Sequence, residues 1–195
     1  MDHSEVILQR LVPDKKRTLH KGDRLFGQGD QVENLYLLRQ GMVKLIRHSI
    51  DGNDIVLQTA TPNDIIAEAS LFADAYHCSA IVQSQSAELS CFDRKNLLTA
   101  LKDNPDTLME IVELFAHRMR KLRALLEIKS IRSAKQRMYS YFQLEADANN
   151  ELKLQLSYKE MAYQLGLAHE TFYRNLKCLE DEGKLIRKTS SIQLI

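Results

Sequence analysis

The chain has 195 residues, of which 44% are hydrophobic and 27% are charged, and its formal net charge is +1. This composition is that of an ordinary globular protein and excludes collagen-like, low-complexity and wholly disordered classes. No apolar run approaches the roughly 20 residues that cross a bilayer, and the N-terminal residues lack the basic start and apolar stretch of a signal peptide, so we expect neither a membrane partner nor export.

Three cysteines bear on compartment and on metal chemistry. Cys78, Cys91 and Cys178 are odd in number and widely spaced, and no C-x-x-C pair is present. This pattern predicts neither a disulfide framework nor a structural zinc site, and it favours the reducing cytoplasm. The sequence also lacks clustered histidine and carboxylate ligands, a Ser/His/Asp grouping and a phosphate-cradling G-x-x-x-x-G-K loop. We therefore predict no catalytic site and no metal site.

The charges are unevenly distributed along the chain. Residues 1–105 hold 12 Lys and Arg against 14 Asp and Glu, whereas residues 106–195 hold 15 against 12. Residues 114–144 alone carry eight bases and one acid, Glu127. Such asymmetry is typical of a protein with one part that faces a polyanion, although a solvated helix face produces the same count.

The first half of the chain has the pattern of an antiparallel β-structure. Residues 35–38, 43–46 and 55–57 are short apolar or alternating runs with β-branched and aromatic side chains, and turn residues separate them. Asp51-Gly52 between two of these runs predicts a hairpin. Several short strands at this spacing favour a sandwich or barrel over a parallel α/β sheet.

The pattern changes to a helical one at about residue 105. Apolar side chains recur at intervals of four, four, three and four residues, at Ile111, Phe115, Met119, Leu122 and Leu126. This stripe and the Lys/Arg-rich opposite face predict a helix over residues 105–129. A narrow, regular stripe packs either on a second copy of the helix or on its own domain, and we favour self-pairing.

The C-terminal segment predicts two short helices joined by a tight turn. Ser157 and Glu160 form a capping box that opens a helix over residues 158–165, and Gly166 ends it. A second amphipathic helix follows over residues 169–179. Two short helices joined by a turn of three to four residues that contains glycine are typical of a helix-turn-helix.

The polar face of the second helix carries groups that suit the edges of bases. We predict DNA contacts from this face and from the start of the first helix, by Ser157, His169, Glu170, Thr171, Tyr173, Arg174 and Lys177. Arginine pairs bidentately with guanine O6 and N7, and glutamate accepts from cytosine N4. Residues 185–188 and 191–194 then predict a β-hairpin wing. The alternative is a helical hairpin with a merely solvated polar face.

Three blocks of motifs follow one another along the chain. They are Lys21-Gly22-Asp23-x-Leu25-Phe26-x-Gln28-Gly29-Asp30 with Leu35-Tyr36-x-Leu38 and Gly41-x-Val43-Lys44-Leu45, then Pro105-Asp106-x-Leu108-Met109, then Glu160-x-Ala162-x-x-Leu165-Gly166 with Glu170-Thr171-x-x-Arg174. In this order they resemble the cyclic-AMP receptor protein/FNR family of bacterial transcription regulators, from about Leu19 to Ile195.

The resemblance implies an α+β architecture in three parts. Residues 1–104 would form an antiparallel β-roll, a double-stranded β-helix or jelly roll of the cyclic-nucleotide-binding type. Residues 105–129 would form a dimerisation helix, and residues 130–195 a winged helix-turn-helix DNA-binding domain. The resemblance also implies a homodimer that binds double-stranded DNA with a two-fold symmetric site, with RNA polymerase as a further partner if the protein activates transcription.

The same resemblance assigns base contacts to the recognition helix. Arg174 falls on the position that reads a guanine of the half-site, and Glu170 on the position that reads a cytosine. His169 occupies a third reading position, which is often arginine in the cyclic-AMP type, and its imidazole has less reach and no fixed fork. The preferred outer bases of the half-site therefore stay open.

The effector cassette departs from that of the cyclic-nucleotide-binding members. By resemblance the candidate effector pocket consists of Ala67, Glu68, Cys78, Ser79, Leu122 and Arg123. Ala67 stands where those members have glycine, Cys78 where they have the arginine that pairs with the cyclic phosphate, and Leu122-Arg123 where they have hydroxyls that meet adenine. A buried phosphate without a partner typically costs several kcal/mol, so we do not expect cyclic AMP to be the effector.

The identity of the effector stays open, and the sequence does not assign a cofactor. The iron–sulfur type of the family uses an N-terminal cysteine cluster. No cysteine precedes Cys78 in this sequence, so we do not expect that type. Ala67-Glu68-Ala69 with Leu71-Phe72 resembles the cassette of members that respond to nitric oxide through haem, so a haem-based nitric oxide or redox sensor is one alternative. A small organic ligand and no effector at all are others. A non-enzymatic ligand-binding or adaptor module, whose helix-turn-helix contacts protein, is the alternative function.

Overall fold

Eight strands build the N-terminal part of the chain in the computed structural model, which describes residues 12–48 and 54–195. They are β1 (Lys15–His20), β2 (Arg24–Phe26), β3 (Asn34–Gln40), β4 (Val43–His48), β5 (Asp54–Ala60), β6 (Ile65–Ile66), β7 (Ser79–Val82) and β8 (Ser86–Asp93). All three apolar runs that predicted strands lie in β3, β4 and β5. The predicted turn at Asp51-Gly52 lies outside the described residues.

The strands form two antiparallel sheets of four strands each, in the orders β1-β8-β3-β6 and β2-β7-β4-β5. β4 and β5 pair from Val43 opposite Ala60 to His48 opposite Asp54, so the two strands of the predicted hairpin are neighbours. One core takes the apolar side chains of both sheets, with Leu37 and Leu38 completely buried. The α+β class with an antiparallel β-domain is confirmed.

A helix that the sequence pattern did not indicate follows β8. This helix, α1, spans Arg94–Asp103. The Asp93 carboxylate caps it by accepting from the backbone N–H groups of Lys95 and Asn96 at 2.9 and 3.0 Å. Leu97 and Leu101 bury one face of α1 in the β-domain core, which is why the segment is helical despite its short apolar stripe.

The predicted long helix, α2, spans Pro105–Ser130. The Asn104 side chain accepts from the backbone N–H of Thr107 at 3.1 Å and satisfies one free donor of its first turn. Ile111 is only 6% exposed and belongs to the β-domain core, and Phe115 packs against the same core. Ile111 is thus covered by its own domain, and its predicted place in a dimer interface, like that of Phe115, stays a prediction.

The chain divides into two compact units, Met1–Phe115 and Ala116–Ile195, so that α2 contributes a segment to each. In its second segment the predicted stripe is left exposed by the residues that the structure describes. Met119, Leu122 and Leu126 are 54%, 62% and 67% exposed.

The second unit contains the predicted pair of short helices and the wing. Its further elements are α3 (Ala134–Glu145), β9 (Glu151–Lys153), α4 (Tyr158–Gln164), α5 (His169–Asp181), β10 (Leu185–Arg187) and β11 (Ser191–Leu194). The sheet order is β10-β11-β9, so the wing has a third strand that the sequence did not predict. Phe142, Phe172 and Leu176 are completely buried in the core of this unit. No helix within the described part of the chain is both long and apolar enough to cross a membrane.

Candidate nucleic-acid interface and effector cassette

The helix α4 begins with the predicted capping box. The Ser157 hydroxyl accepts from the backbone N–H of Glu160 at 3.3 Å and donates to the Glu160 carboxylate at 2.8 Å. In return the carboxylate accepts from the backbone N–H of Ser157 at 3.0 Å. Ser157 is exposed, but its hydroxyl already serves the cap, so its predicted contact with DNA would be added to a structural role.

The turn between α4 and α5 is closed by hydrogen bonds around Gly166. This glycine has a left-handed φ of +62°, a conformation that L side chains adopt only at a cost. The backbone N–H of Gly166 donates to Tyr163 and that of Leu167 donates to Ala162, which is buried where α4 meets the unit's core. The small side chain of Ala162 and the turn at Gly166 together hold α4 and α5 in the helix-turn-helix arrangement.

The first two turns of α5 present an exposed, polar surface. Five of the six α5 residues predicted to contact DNA are exposed: His169, Glu170, Tyr173, Arg174 and Lys177. The sixth, Thr171, is half-buried, and its carbonyl accepts from the Asn175 side chain at 2.7 Å. Within the described residues, neither Glu170 nor Arg174 forms a hydrogen bond or ion pair through its side chain. They stay separate although opposite charges four residues apart on a helix can pair.

The far end of α5 is different, because two carboxylates there, those of Glu180 and Glu182, are engaged. Glu180 accepts from the Arg187 guanidinium on β10 at 2.8 Å. Glu182, next to the helix end, forms ion pairs with Lys135 and Lys184. The hydrogen bond from Lys135 is the main cause that lowers the pKa of Glu182 to about 2. These contacts join α5 to α3 and to the wing and leave the start of α5 as its free polar end.

One side chain, Arg137 on α3, holds two helix ends. Its Nε and Nη2 donate to the carbonyl of Ile131, just after α2, at 2.9 and 2.8 Å. Its Nη1 donates to the carbonyl of Leu165, at the end of α4, at 3.1 Å. A guanidinium satisfies carbonyls that a helix end leaves free, and its positive charge is stabilised by the negative end of the helix dipole. The end of α2 and the helix-turn-helix are thereby tied to α3.

The effector cassette lies in the first unit and is built largely of core residues. Ala67 is buried with a left-handed φ of +76°, a conformation that suits glycine. Cys78 and Ser79 are each 3% exposed. The Ser79 hydroxyl accepts from the backbone N–H of Gln28 at 2.9 Å. Burial first, and the charge of Glu68 second, raise the pKa of the Cys78 thiol, which is therefore a neutral side chain beside a carboxylate.

The other two residues of the candidate pocket, Leu122 and Arg123, are exposed on the part of α2 that belongs to the second unit. Their approach to the cassette stays a prediction. The described residues include no group of three or more His, Cys, Asp or Glu side chains that could hold a metal ion.

Known proteins match this chain in both sequence and fold. Residues 16–104 match the model of the cyclic nucleotide-binding domain. The chain is 28% identical over 170 residues to the cyclic AMP receptor protein of Thermus thermophilus. This match covers 87% of this chain and 78% of that protein. It is 26% identical over 179 residues to the cAMP-activated global transcriptional regulator CRP of Salmonella typhimurium, with 88% and 81% covered. Over most of its length the chain is therefore similar to transcription regulators of the cyclic-AMP receptor protein/FNR family.

The solved structure of FixK2 from Bradyrhizobium japonicum has a fold similar to that of this chain. The TM-score is 0.74 at 20% identity, and the match covers 94% of this chain and 93% of that structure. The sequence does not predict the contacts of Arg137 or the ring contacts of Tyr173, because they depend on side chains from different helices.

Proposed function

We propose that this chain is a homodimeric regulator that binds double-stranded DNA sequence-specifically at a two-fold symmetric site, with α5 of each subunit in a major groove. The observation that carries the proposal is the pair Glu170 and Arg174, exposed one helical turn apart and without side-chain partners in the described chain. Arg174 reads a guanine through O6 and N7, and Glu170 accepts from the N4 amino group of a cytosine. Lys177 contacts the phosphate backbone.

The dimer forms through the second segment of α2. Met119, Leu122 and Leu126 are an apolar row on a surface that is otherwise rich in Lys and Arg. Covering this row with the same row of a second copy removes apolar surface from water and requires no other partner. The two-fold axis of such a pair matches that of a palindromic site.

We further propose that cyclic AMP is not the effector and that the protein is not an enzyme. A phosphate that entered the cassette would meet the Cys78 thiol in place of an arginine, so its buried charge would have no partner. We do not assign a resident cofactor. The protein could hold haem, hold a small organic ligand, or act without an effector. The absorption spectrum and mass spectrum of protein purified from its native host distinguish these three cases. Tight binding of cyclic AMP in a calorimetric titration would contradict the proposal.

Selection from a random duplex library tests the function directly. The proposal expects the full chain to enrich a two-fold symmetric site, with a conserved G·C pair in each half-site. The affinity should fall steeply with salt concentration, because phosphate neutralisation releases counterions. Failure to enrich any site, or binding that salt does not weaken, would overturn the proposal and favour an adaptor that binds protein. RNA polymerase is the partner we propose if the selected site activates a promoter in a reconstituted transcription assay.

A further inference from the structure

A series of aromatic contacts links the core of the second unit to the exposed start of α5. Phe172 is completely buried, and its ring centroid lies 5.8 Å from that of Tyr158 at the start of α4. Tyr158 meets Tyr173 edge-to-face at 5.5 Å, and Tyr173 meets His169 edge-to-face at 4.7 Å. Such edge-to-face pairs are attractive beyond the area that they bury. The two outer rings are therefore supported from the core.

The outer two rings nevertheless remain accessible. Tyr173 is 43% exposed, and His169 is exposed at the first position of α5. The two residues are four apart, so they lie on one side of the helix, in a row beside that of Glu170 and Arg174. Because neighbouring rings already restrict their rotamers, little further side-chain entropy is lost when they contact a ligand.

We propose that His169 and Tyr173 form one preorganised reading unit, which sets the base preference beside the pair read by Glu170 and Arg174. The proposal rests on the proposed function, in which α5 lies in the major groove. The Tyr173 ring contacts the C5-methyl group of a thymine, and an N–H of the His169 imidazole donates to the N7 of a purine. Thymine alone among the four bases presents a methyl group in the major groove, and purine N7 is an acceptor there. Tyr158 is the positioning residue of this unit.

Single-atom changes in the DNA test each contact. In the site that the full chain selects, each thymine is replaced in turn by deoxyuridine, which lacks only the methyl group. For the wild type, we expect an affinity about fourfold lower at one position of each half-site, as for one methyl group returned to water. Tyr173→Phe keeps the ring and should show the same loss, whereas Tyr173→Ala should show none. Fluorescence anisotropy at fixed salt measures all of these affinities.

The histidine contact has its own probe. Replacing purines in turn by their 7-deaza analogues should weaken the wild type at two positions of each half-site, because Arg174 also uses a purine N7. At the guanine read by Arg174 the loss should persist in His169→Ala, whereas at the purine read by His169 it should disappear in that variant. Tyr158→Ala, with its fold checked by circular dichroism, should reduce both discriminations while the preference for the G·C pair persists. A variant that only lost stability would weaken binding to every duplex alike.

Two results are separable in this design. If the wild type selects no duplex, the proposed function fails and the reading unit fails with it. If it selects a site with the expected G·C pair, but deoxyuridine and 7-deazapurines change wild-type and variant affinities equally at every position, only the reading unit is overturned.

Discussion

Single residues show how local geometry decides what a substitution does. Gly29 and Gly41 share a left-handed backbone, with φ of +88° and +91°. A Cβ at Gly41, between β3 and β4, would collide with the carbonyl oxygen of Ser86, whereas a Cβ at Gly29 would meet nothing within 4 Å. The two glycines therefore separate backbone strain from steric collision.

We predict that Gly29→Ala lowers the free energy of unfolding by about 1–2 kcal/mol, the usual cost of a left-handed alanine. Gly41→Ala should lower it by more, because the β3–β4 turn must also move away from β8. Urea titrations followed by circular dichroism compare the two variants. Equal losses would show that the collision is relieved without cost.

Arg137 is the second case at this scale. Its guanidinium donates three hydrogen bonds to the carbonyls of Ile131 and Leu165. Arg137→Ala should lower the free energy of unfolding by about 2–3 kcal/mol, because a charged donor to otherwise free helix-end carbonyls is lost. Arg132→Ala removes an exposed arginine from the same segment and should change stability by less than about 0.5 kcal/mol. Similar losses in both variants would rule out the role assigned to Arg137.

At the scale of elements, the sequence predicts those helices and strands that depend on neighbouring residues and misses those that depend on residues far along the chain. The capping box of α4, the Gly166 turn and the strands β3 to β5 were predictable, because their signals lie within a few neighbouring residues. α3 was missed because its buried Met138, Tyr141 and Phe142 lie in a stretch that stands out for its charge. β9 has three residues and exists through pairing with β11, about 40 residues away, which no local pattern encodes.

The apolar stripe on α2 shows that a local pattern predicts a buried face of a helix but not what covers it. Regular apolar spacing predicted the helix and its buried face, but Ile111 packs in its own domain while Leu126 is exposed. A periodic pattern does not distinguish a partner helix from the core of the same chain. In the candidate site, Glu170 and Arg174 could be named from sequence, whereas the rings behind Tyr173 required the fold.

The contact between α3 and the end of α5 makes stability depend on pH. Its hydrogen bond from Lys135 lowers the pKa of Glu182 to about 2, below the ordinary value of 4.5. A carboxyl whose pKa is depressed by folding contributes stability above its unfolded pKa and loses it as the pH falls through the folded pKa. Glu182 should therefore stabilise the fold fully at neutral pH and lose this contribution between about pH 4.5 and pH 2.

Chemical denaturation across that pH range tests the assignment. Glu182→Gln should be less stable than the wild type at pH 7, and the difference should shrink on acidification as the wild-type carboxyl is protonated. Because the ion pair is partly exposed, high salt should also reduce the difference. A difference that does not vary with pH would contradict the role of the ion pair.

For the whole molecule, the exposed row on α2 predicts assembly. Leu126→Glu places a charge in the proposed dimer interface, where a buried charge without a partner costs about 3–5 kcal/mol. The dimer should weaken more than about hundredfold, as measured by sedimentation equilibrium. Phe72→Glu is the matched control, because Phe72 is 76% exposed but lies in the β-domain. Dissociation by the control alone, or by neither variant, would contradict the interface.

Overall charge leads to an expectation about affinity. The net charge of +1 combines an acidic excess in residues 1–105 with a basic excess in residues 106–195. Bulk attraction to DNA is therefore modest, and binding should depend on dimerisation and on a few side chains at the start of α5.

The coupling between Arg174 and a guanine tests the central claim most directly. Affinities of the wild type and Arg174→Ala are measured by fluorescence anisotropy for the selected site and for one with the conserved G·C pair replaced by A·T. The two changes should be strongly non-additive, with a coupling of about 1–3 kcal/mol per half-site. Lys177→Ala should weaken both duplexes alike. If the Arg174→Ala and base-pair effects simply add, Arg174 does not read that base pair, and the account of α5 as the reading helix is contradicted.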